Sequence, residues 1–256
     1  MSKNINFFLH YHQEGCIIDL LVGNIVFIIA HRGASGTEPE NTLPAFTLAL
    51  EQKSDMIETD VHVCASGEAV LCHNPGIPVG GEIRNISGLT LSELQAFDAG
   101  EGNRIPTLNE MLNHLNPEIK INLELKGPGS ETKVAEILKE RIKTGNWSAD
   151  NFLITSFDHF RVEEFRVLMP EVPRGALFKS QVLYINEYLE KLSIKTLITN
   201  FEFINKSRVD EVHHTGRKVM VYTVNNKSDI LRMADMRVDG IITNYPKKAR
   251  QLLGTA

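Results

Sequence analysis

The segment IAHRGASG, residues 29–36, joins a strand pattern to a turn rich in glycine. Residues 25–30 are β-branched or otherwise apolar, which predicts a buried strand, and this strand ends in His31 and Arg32. An arginine guanidinium presents a planar fork of donors to phosphate or carboxylate, and an imidazole exchanges protons near neutral pH. A helical pattern follows from residue 43, so the segment predicts a first β–α unit that carries a site for an anionic substrate.

Two later segments place carboxylates on predicted strands. Side chains at alternate positions of a strand share a face, so Glu58 and Asp60 point the same way. The same alternation pairs Glu124 with Lys126 on another strand. Carboxylates on a mostly apolar strand need a cation or hydrogen-bond donors close by. Ligation by carboxylate oxygens alone suits a hard divalent cation such as Mg²⁺ or Ca²⁺ rather than zinc.

A further strand pattern, residues 69–73, ends in His73. Together with His31 it supplies the two groups that acid and base catalysis needs. Arg32 and Lys126 supply cations that neutralise a phosphate. The whole set of groups indicates metal-assisted cleavage of a phosphate ester.

Read in order, the motifs of this chain resemble those of the glycerophosphodiester phosphodiesterase family over roughly residues 27–252. They are HRG at 31–33, PENT at 39–42, E-x-D at 58–60, HN at 73–74, E-x-K at 124–126 and DGIITN at 239–244. The resemblance implies hydrolysis of a small-molecule glycerophosphodiester to glycerol 3-phosphate and an alcohol.

The resemblance also implies a role for each site residue. The acid and the base are His31 and His73, and the residues that bind the substrate phosphate are Arg32 and Lys126. The ligands of one divalent cation, Mg²⁺ or Ca²⁺, are Glu58, Asp60 and Glu124. Supporting residues are Glu40, Asn74 and Tyr222, of which Glu40 is expected to hold Arg32 or a neighbouring loop. Which histidine is the acid stays open.

Four positions depart from the family pattern, and one of them is Ser66, in a turn where aspartate is common. Asn74 and Asn244 each stand where the family usually has aspartate, and Tyr222 stands where tryptophan is frequent. None of these changes removes a metal ligand or a catalytic histidine. Because Asn74 adjoins His73, we expect it to change the rate or the pH optimum rather than the class of reaction.

Strand and helix patterns alternate about eight times along the 256 residues. Repeated β–α units imply a parallel sheet with right-handed crossovers, and eight of them predict a (β/α)₈ TIM barrel of the phosphodiesterase type. We expect an N-terminal extension at residues 1–24 and the barrel domain at 25–256. Residues 74–106 are rich in Gly, Pro, Asn and Ser, and predict a short inserted capping segment over the active face.

The composition of the chain limits the kinds of partner and the location that we expect for it. A net charge of −5 without a basic block argues against a nucleic-acid partner. The first 24 residues lack the layout of a secretory signal, and residues 16–30 are too polar for a membrane span. We therefore expect a cytoplasmic protein without stable membrane insertion, and the oligomeric state stays open.

Three alternatives remain. One is a phosphodiesterase of the same fold that acts on lysophospholipids, like a lysophospholipase D, or on phosphatidylinositol-type lipids. A longer apolar groove would favour it. Another is a Schiff-base aldolase, because Lys126 ends a barrel strand. The last is a catalytically silent barrel that only binds phosphorylated ligands.

Overall fold

A computed structural model describes residues 26–115, 117 and 119–254, so the predicted extension at residues 1–24 lies outside the described residues. The strands in chain order are β1 (Phe27–His31), β2 (Met56–Val63), β3 (Ala69–Leu71), β4 (Gly76–Val79), β5 (Glu82–Asn85), β6 (Lys120–Leu125), β7 (Phe152–Ser156), β8 (Arg174–Phe178), β9 (Thr196–Asn200), β10 (Lys218–Tyr222) and β11 (Gly240–Thr243).

The helices lie mainly between barrel strands. In chain order they are α1 (Leu43–Glu51), α2 (Leu91–Gln95), α3 (Leu108–His114), α4 (Ser130–Lys143), α5 (His159–Leu168), α6 (Ile185–Lys191), α7 (Lys206–His213), α8 (Lys227–Asp235) and α9 (Pro246–Leu253). None of these helices is both long enough and apolar enough to span a membrane.

Eight of the described strands close into a parallel barrel, which confirms the predicted fold class. The order around the barrel is β1, β11, β10, β9, β8, β7, β6 and β2, and β2 pairs again with β1. Ala30 of β1 marks the closure, because it is in register with Thr243 on one side and with Ile57 on the other. All eight carboxyl ends therefore open at one mouth, where barrels of this kind carry their chemistry.

Local sequence signals start the helices that flank the first strands. The hydroxyl of Thr42 accepts from the backbone N–H of Ala45, and Pro44 occupies the first turn of α1. Thr107 and Glu110 form a reciprocal capping box at α3. Both starts depend only on residues within one turn of the helix.

An apolar cluster fills the barrel beneath the mouth. Seven of the eight barrel strands each contribute one buried side chain to it, namely Ile29, Met56, Leu153, Leu177, Ile198, Met220 and Ile242. The eighth strand, β6, contributes the buried amide of Asn122, which accepts a hydrogen bond from Thr155 at 2.8 Å. This closed floor keeps the polar groups at the carboxyl ends of the strands.

The third predicted strand differs from expectation. It ends at Leu71 rather than at residue 73, and it runs antiparallel to β2, with Val61 opposite Leu71. The turn at residues 64–68 folds it back as a hairpin, so β3 is not a barrel strand. His73 consequently reaches the mouth from the far end of a hairpin.

The inserted segment has more regular structure than its composition suggested. It contains the helix α2, which begins with a capping box between Thr90 and Glu93. The hairpin of β4 and β5 was not predicted; it turns at Gly80 and Gly81, which both have positive φ angles. The segment packs through its own apolar cluster, which includes Ile77, Ile86 and Leu94.

Gly33 offers a test of how the first turn is held against α1. Its φ of +80° favours glycine, and a Cβ there would lie 2.7 Å from backbone and side-chain atoms of Ala45. We expect Gly33→Ala to lower the free energy of unfolding by about 1–2 kcal/mol through backbone strain and by a further ~1–3 kcal/mol through overpacking. Urea denaturation measures the loss.

Gly67→Ala is the matched control. Gly67 also has a positive φ, +95°, but a Cβ there meets no atom within 4 Å. It should show the strain without the overpacking. Equal losses in the two variants would mean that the contact with α1 contributes nothing.

Candidate active site

Polar groups from three neighbouring strands and the hairpin meet at the barrel mouth. Together they line one side of a cavity of about 650 Å³. These residues are His31, Arg32, Glu58, His73, Glu124 and Lys126. The structure thus brings both predicted histidines, both predicted phosphate ligands and two of the three predicted metal ligands to one cavity. The third, Asp60, lies buried directly behind Lys126, with its Oδ1 3.4 Å from Nζ.

The turn after β1 aims Arg32 at the carboxylates of β2. Arg32 adopts a left-handed φ of 56°, and its backbone N–H donates to Glu58 Oε2 at 2.9 Å. Its guanidinium lies between two carboxylates, with Nη1 2.7 Å from Glu40 Oε2 and Nε 3.2 Å from Asp60 Oδ2. Glu40, the supporting residue of the PENT motif, therefore contacts Arg32.

The alternation of β2 and the register with β6 bring three carboxylates together. One oxygen each from Glu58, Asp60 and Glu124 lies within 4.8 Å of the others, and all three residues are buried. Asp60 is in register with Glu124 across the strand pair. Lys126 Nζ closes the group, 2.8 Å from Glu124 Oε1.

Burial and mutual repulsion decide the charges of these carboxylates. Burial raises the pKa of Glu58 well above its ordinary value, and the charges of Asp60 and Glu124 add to the rise. Burial and the charge of Asp60 also raise the pKa of Glu124. Asp60 behaves in the opposite way: burial opposes its ionisation, but Arg32 and Lys126 outweigh burial and lower its pKa.

The carboxylate group fits a hard divalent cation. Asp60 Oδ2 accepts from Asn41 Nδ2 at 3.0 Å, whereas Oδ1 is buried and makes no hydrogen bond. This oxygen has the Lys126 ammonium 3.4 Å away but accepts no hydrogen bond, and it lies beside two more carboxylates whose pKa values are raised; a bound cation would satisfy such a group. The oxygen-only donor set matches Mg²⁺ or Ca²⁺.

Each histidine has a neutral amide beside its Nδ1. Asn244 Oδ1 lies 2.7 Å from Nδ1 of His31, and Asn74 Oδ1 lies 3.1 Å from Nδ1 of His73. Burial lowers the pKa of His31 to about 4, with the Arg32 charge adding to the effect. Burial also lowers the pKa of His73. With Nδ1–H donating to Asn244, Nε2 of His31 is left as an unprotonated acceptor that faces Glu58 at 4.0 Å.

Sequence reasoning missed two residues of this network. Asn41 orients Asp60, because its Oδ1 accepts from the Thr59 hydroxyl at 2.6 Å and so turns its NH₂ toward the Asp60 carboxylate. Asn244 holds His31, although it was noted only as a departure from the family pattern. The signal for Asn41 was its place in the PENT motif beside Glu40.

The opposite side of the cavity, here called the far wall, is formed by Phe157, Lys179, Asn200 and Tyr222. These residues follow or end strands β7 to β10. Tyr222, predicted as a supporting residue, donates from its hydroxyl to the carbonyl of Phe178 at 2.8 Å. Burial raises the pKa of Tyr222 to about 12, so the hydroxyl stays protonated at neutral pH.

Comparison with known proteins agrees with this geometry. A sequence model of the Glycerophosphoryl diester phosphodiesterase family matches residues 31–248. The YhdW protein of Bacillus subtilis is 33% identical, with 86% of this chain and 95% of that protein covered. A glycerophosphodiester phosphodiesterase of Caldanaerobacter subterraneus subsp. tengcongensis is 31% identical, with 86% and 94% covered.

A solved structure shows the same architecture. It is a phosphodiesterase of Oleispira antarctica in complex with the product sn-glycerol-3-phosphate, with a TM-score of 0.82 and 29% identity. The similarity covers 89% of this chain and 96% of that one. The chain therefore belongs to the glycerophosphoryl diester phosphodiesterase family, and its enzyme class is phosphoric diester hydrolase.

Proposed function

We propose that this enzyme hydrolyses glycerophosphodiesters to glycerol 3-phosphate and an alcohol, with one divalent cation, Mg²⁺ or Ca²⁺, held by Glu58, Asp60 and Glu124. The observation that carries the proposal is the cluster of three carboxylates, with one oxygen of each within 4.8 Å of the others, in which Oδ1 of Asp60 accepts no hydrogen bond. When bound, the cation would act as a Lewis acid on a phosphate oxygen. The Oleispira relative, crystallised with glycerol 3-phosphate, supports the choice of product.

Arg32 and Lys126 hold the substrate phosphate. Nearby carboxylates outweigh burial and raise the pKa of both side chains, so both are cations at neutral pH. Charges fixed before the reaction stabilise negative charge that develops at phosphorus without reorganisation. The guanidinium of Arg32 is kept in place by Glu40 and Asp60, which leaves its orientation independent of substrate.

The two histidines divide the proton transfers. His31 is neutral, with its Nε2 lone pair free, and therefore accepts a proton from water or from a substrate hydroxyl. His73 is half-buried on the separate hairpin; burial lowers its pKa, the charge of Asp60 favours its imidazolium form, and that form protonates the departing alcohol. A base and an acid on different elements reach opposite sides of one phosphorus.

The Schiff-base alternative has little support at Lys126. Its ammonium lies 2.8 Å from Glu124 and 3.4 Å from Asp60, and these carboxylates outweigh burial and raise its pKa. A protonated amine is not a nucleophile. The silent-barrel alternative is not adopted, because the chain belongs to a hydrolase family and keeps both histidines. The cytoplasmic location stays a prediction.

A lysophospholipid substrate is the second candidate, and exposed apolar side chains favour it. Phe160, Leu183, Tyr184 and Phe203 are all exposed on segments that follow β7, β8 and β9 at the mouth. Exposed apolar side chains on this face of the barrel offer an acyl chain apolar surface to contact. Faster turnover of a lysophospholipid than of its deacylated counterpart would make it the preferred substrate.

Metal removal tests the proposal. Wild-type protein should release glycerol 3-phosphate from a panel of glycerophosphodiesters with Mg²⁺ or Ca²⁺, and lose turnover after verified chelation. Turnover that survives complete metal removal would refute the role of the three carboxylates.

Glu58→Gln tests metal binding through thermal stability, without an activity assay. Because folding raises the pKa of Glu58, the metal-free wild type loses stability as pH rises above the ordinary glutamate range, and the neutral glutamine should lose less. We expect the metal-free variant to melt roughly 2–4 °C higher at pH 7, which is about 1 kcal/mol for a chain of this size. Added metal should raise the Tm of wild type more than that of the variant. Glu136→Gln, at an exposed ion pair with Lys133, is the control and should change neither value.

Removing either histidine should slow the reaction itself. We expect His31→Ala and His73→Ala each to lower kcat by roughly 10²-fold or more, the range for a positioned proton carrier. KM should change less, because Arg32 and Lys126 still bind the phosphate. A variant that kept wild-type kcat across the pH range would exclude that histidine.

The two neutral amides provide a test of which histidine is the base. A carboxylate stabilises an imidazolium, so Asn244→Asp should raise the pKa of His31 and move the low-pH limb of kcat/KM to higher pH. Asn74→Asp should act on His73 and move the high-pH limb upward. If Asn244→Asp moved the high-pH limb and Asn74→Asp moved the low-pH limb, His73 would be the base and His31 the acid. Asn113→Asp, distant on α3, should leave both limbs in place.

A further inference from the structure

Lys179 is the charged group on the far wall that lacks an opposite partner. It follows β8, its side chain is exposed, and its Nζ lies 5.5 Å from the ring centroid of Phe157. Within the described ranges no carboxylate lies within ion-pair distance of it. Arg32 and Lys126, on the other side of the cavity, are both bound by carboxylates.

The acidic residue beside Phe157 in the cavity lining forms no ion pair with this lysine. Asp158 also lines the cavity, but its Oδ1 accepts from the backbone N–H of Phe160 at 3.2 Å and its Oδ2 pairs with Arg161 at 3.2 Å. Its charge therefore serves the start of α5. Arg161 also pairs with Glu131 at 3.0 Å, so Asp158 still adds negative charge to the cavity lining, but among the described residues Lys179 forms no ion pair.

The neutral groups of the far wall also present donors. Asn200 Oδ1 accepts from the backbone N–H of Glu202 at 2.8 Å, which leaves its NH₂ to a ligand. Ser156 donates to the Leu125 carbonyl at 2.7 Å and accepts from the Asp158 N–H at 3.0 Å, so it offers nothing further. The far wall therefore offers a cation and an amide donor, and the acceptors described here are already engaged. Such a surface is suited to bind an anion.

We propose that Lys179, with the amide of Asn200, selects phosphodiesters that carry a second anionic group on the substituent lying along the far wall. That group is a carboxylate or a phosphate. This inference rests on the proposed function, since it assumes that the scissile phosphate lies at Arg32 and Lys126. The cavity of about 650 Å³ has room for a glycerophosphodiester with such a group.

The lysine is suited to this task by its chemistry. Its ammonium is a compact charge on a flexible stem, so it can follow either a carboxylate or a phosphate. Bound substrate would exclude water from the pair and strengthen an attraction that is weak at an exposed site. The contribution appears only when the substrate supplies the anion.

Two substrate pairs test the proposal and distinguish the two sources of charge. Glycerophosphoserine differs from glycerophosphoethanolamine by one carboxylate. Glycerophosphoglycerol with a terminal phosphate differs from glycerophosphoglycerol by one phosphate. For each pair, the ratio of kcat/KM values is measured in wild type, Lys179→Met and Lys179→Glu.

We expect wild type to favour the anionic member of at least one pair, and the pair that shows the preference identifies the anion. Lys179→Met should lower that ratio about tenfold, which corresponds to about 1.4 kcal/mol, and Lys179→Glu should lower it further. Lys218→Met is the matched control, because Lys218 also lies over an aromatic ring, 5.8 Å from Phe27, but at the start of β10. Its ratios should equal those of wild type.

Unchanged ratios in both Lys179 variants would overturn the proposal. An equal loss on both members of each pair would also overturn it, because Lys179 would then act on the shared phosphodiester. Turnover of all four compounds by wild type without any preference rejects the anion site and leaves the proposed function intact. Absence of turnover on all four compounds, with metal present, rejects both the anion site and the proposed function.

Discussion

The buried carboxylate of Asp60 is the group on which the mouth of this barrel depends. It is almost fully excluded from solvent, and burial alone would favour its neutral form. Two cations outweigh burial: Arg32 from the turn after β1 and Lys126 from the end of β6. Because those cations come from strands on either side of β2, the ionised state of Asp60 depends on closure of the barrel at this point.

The surrounding groups follow from that balance. Arg32 and Asn41 hold Oδ2 of Asp60, and Lys126 lies 3.4 Å from Oδ1, so contacts on both oxygens fix the orientation of the carboxylate. Glu58 and Glu124 lack equal compensation, which is why their pKa values rise. The protein thus keeps carboxylates together at a place where a cation can bind, and this arrangement lowers the stability of the metal-free fold. Such strain at a site is common where chemistry requires it.

Much of the barrel and half of the site could be predicted from the sequence, because the relevant signals are local. Alternation along β2 places Glu58 and Asp60 on one face, and caps such as Thr107 depend on one turn. The contact of His31 with Asn244 spans 213 positions, so no local pattern reveals it. The direction of β3 was also beyond reach, since a three-residue strand pairs equally well either way by composition. A single lysine in a loop, such as Lys179, has no periodicity to mark it.

The hairpin that carries His73 lies outside the closed barrel, so the enzyme can lose activity before the barrel unfolds. β3 is held by a short pairing with β2 and a bridge from Val70 to Thr107, whereas the strands that carry His31, Glu58 and Glu124 have neighbours on both sides. Segments with fewer pairings open at lower free energy than the rest of a fold. Opening of the hairpin removes one of the two proton carriers and leaves the carboxylates assembled. On warming, turnover should therefore stop at a temperature at which the protein still binds its ligands and still gives the circular dichroism signal of the folded barrel.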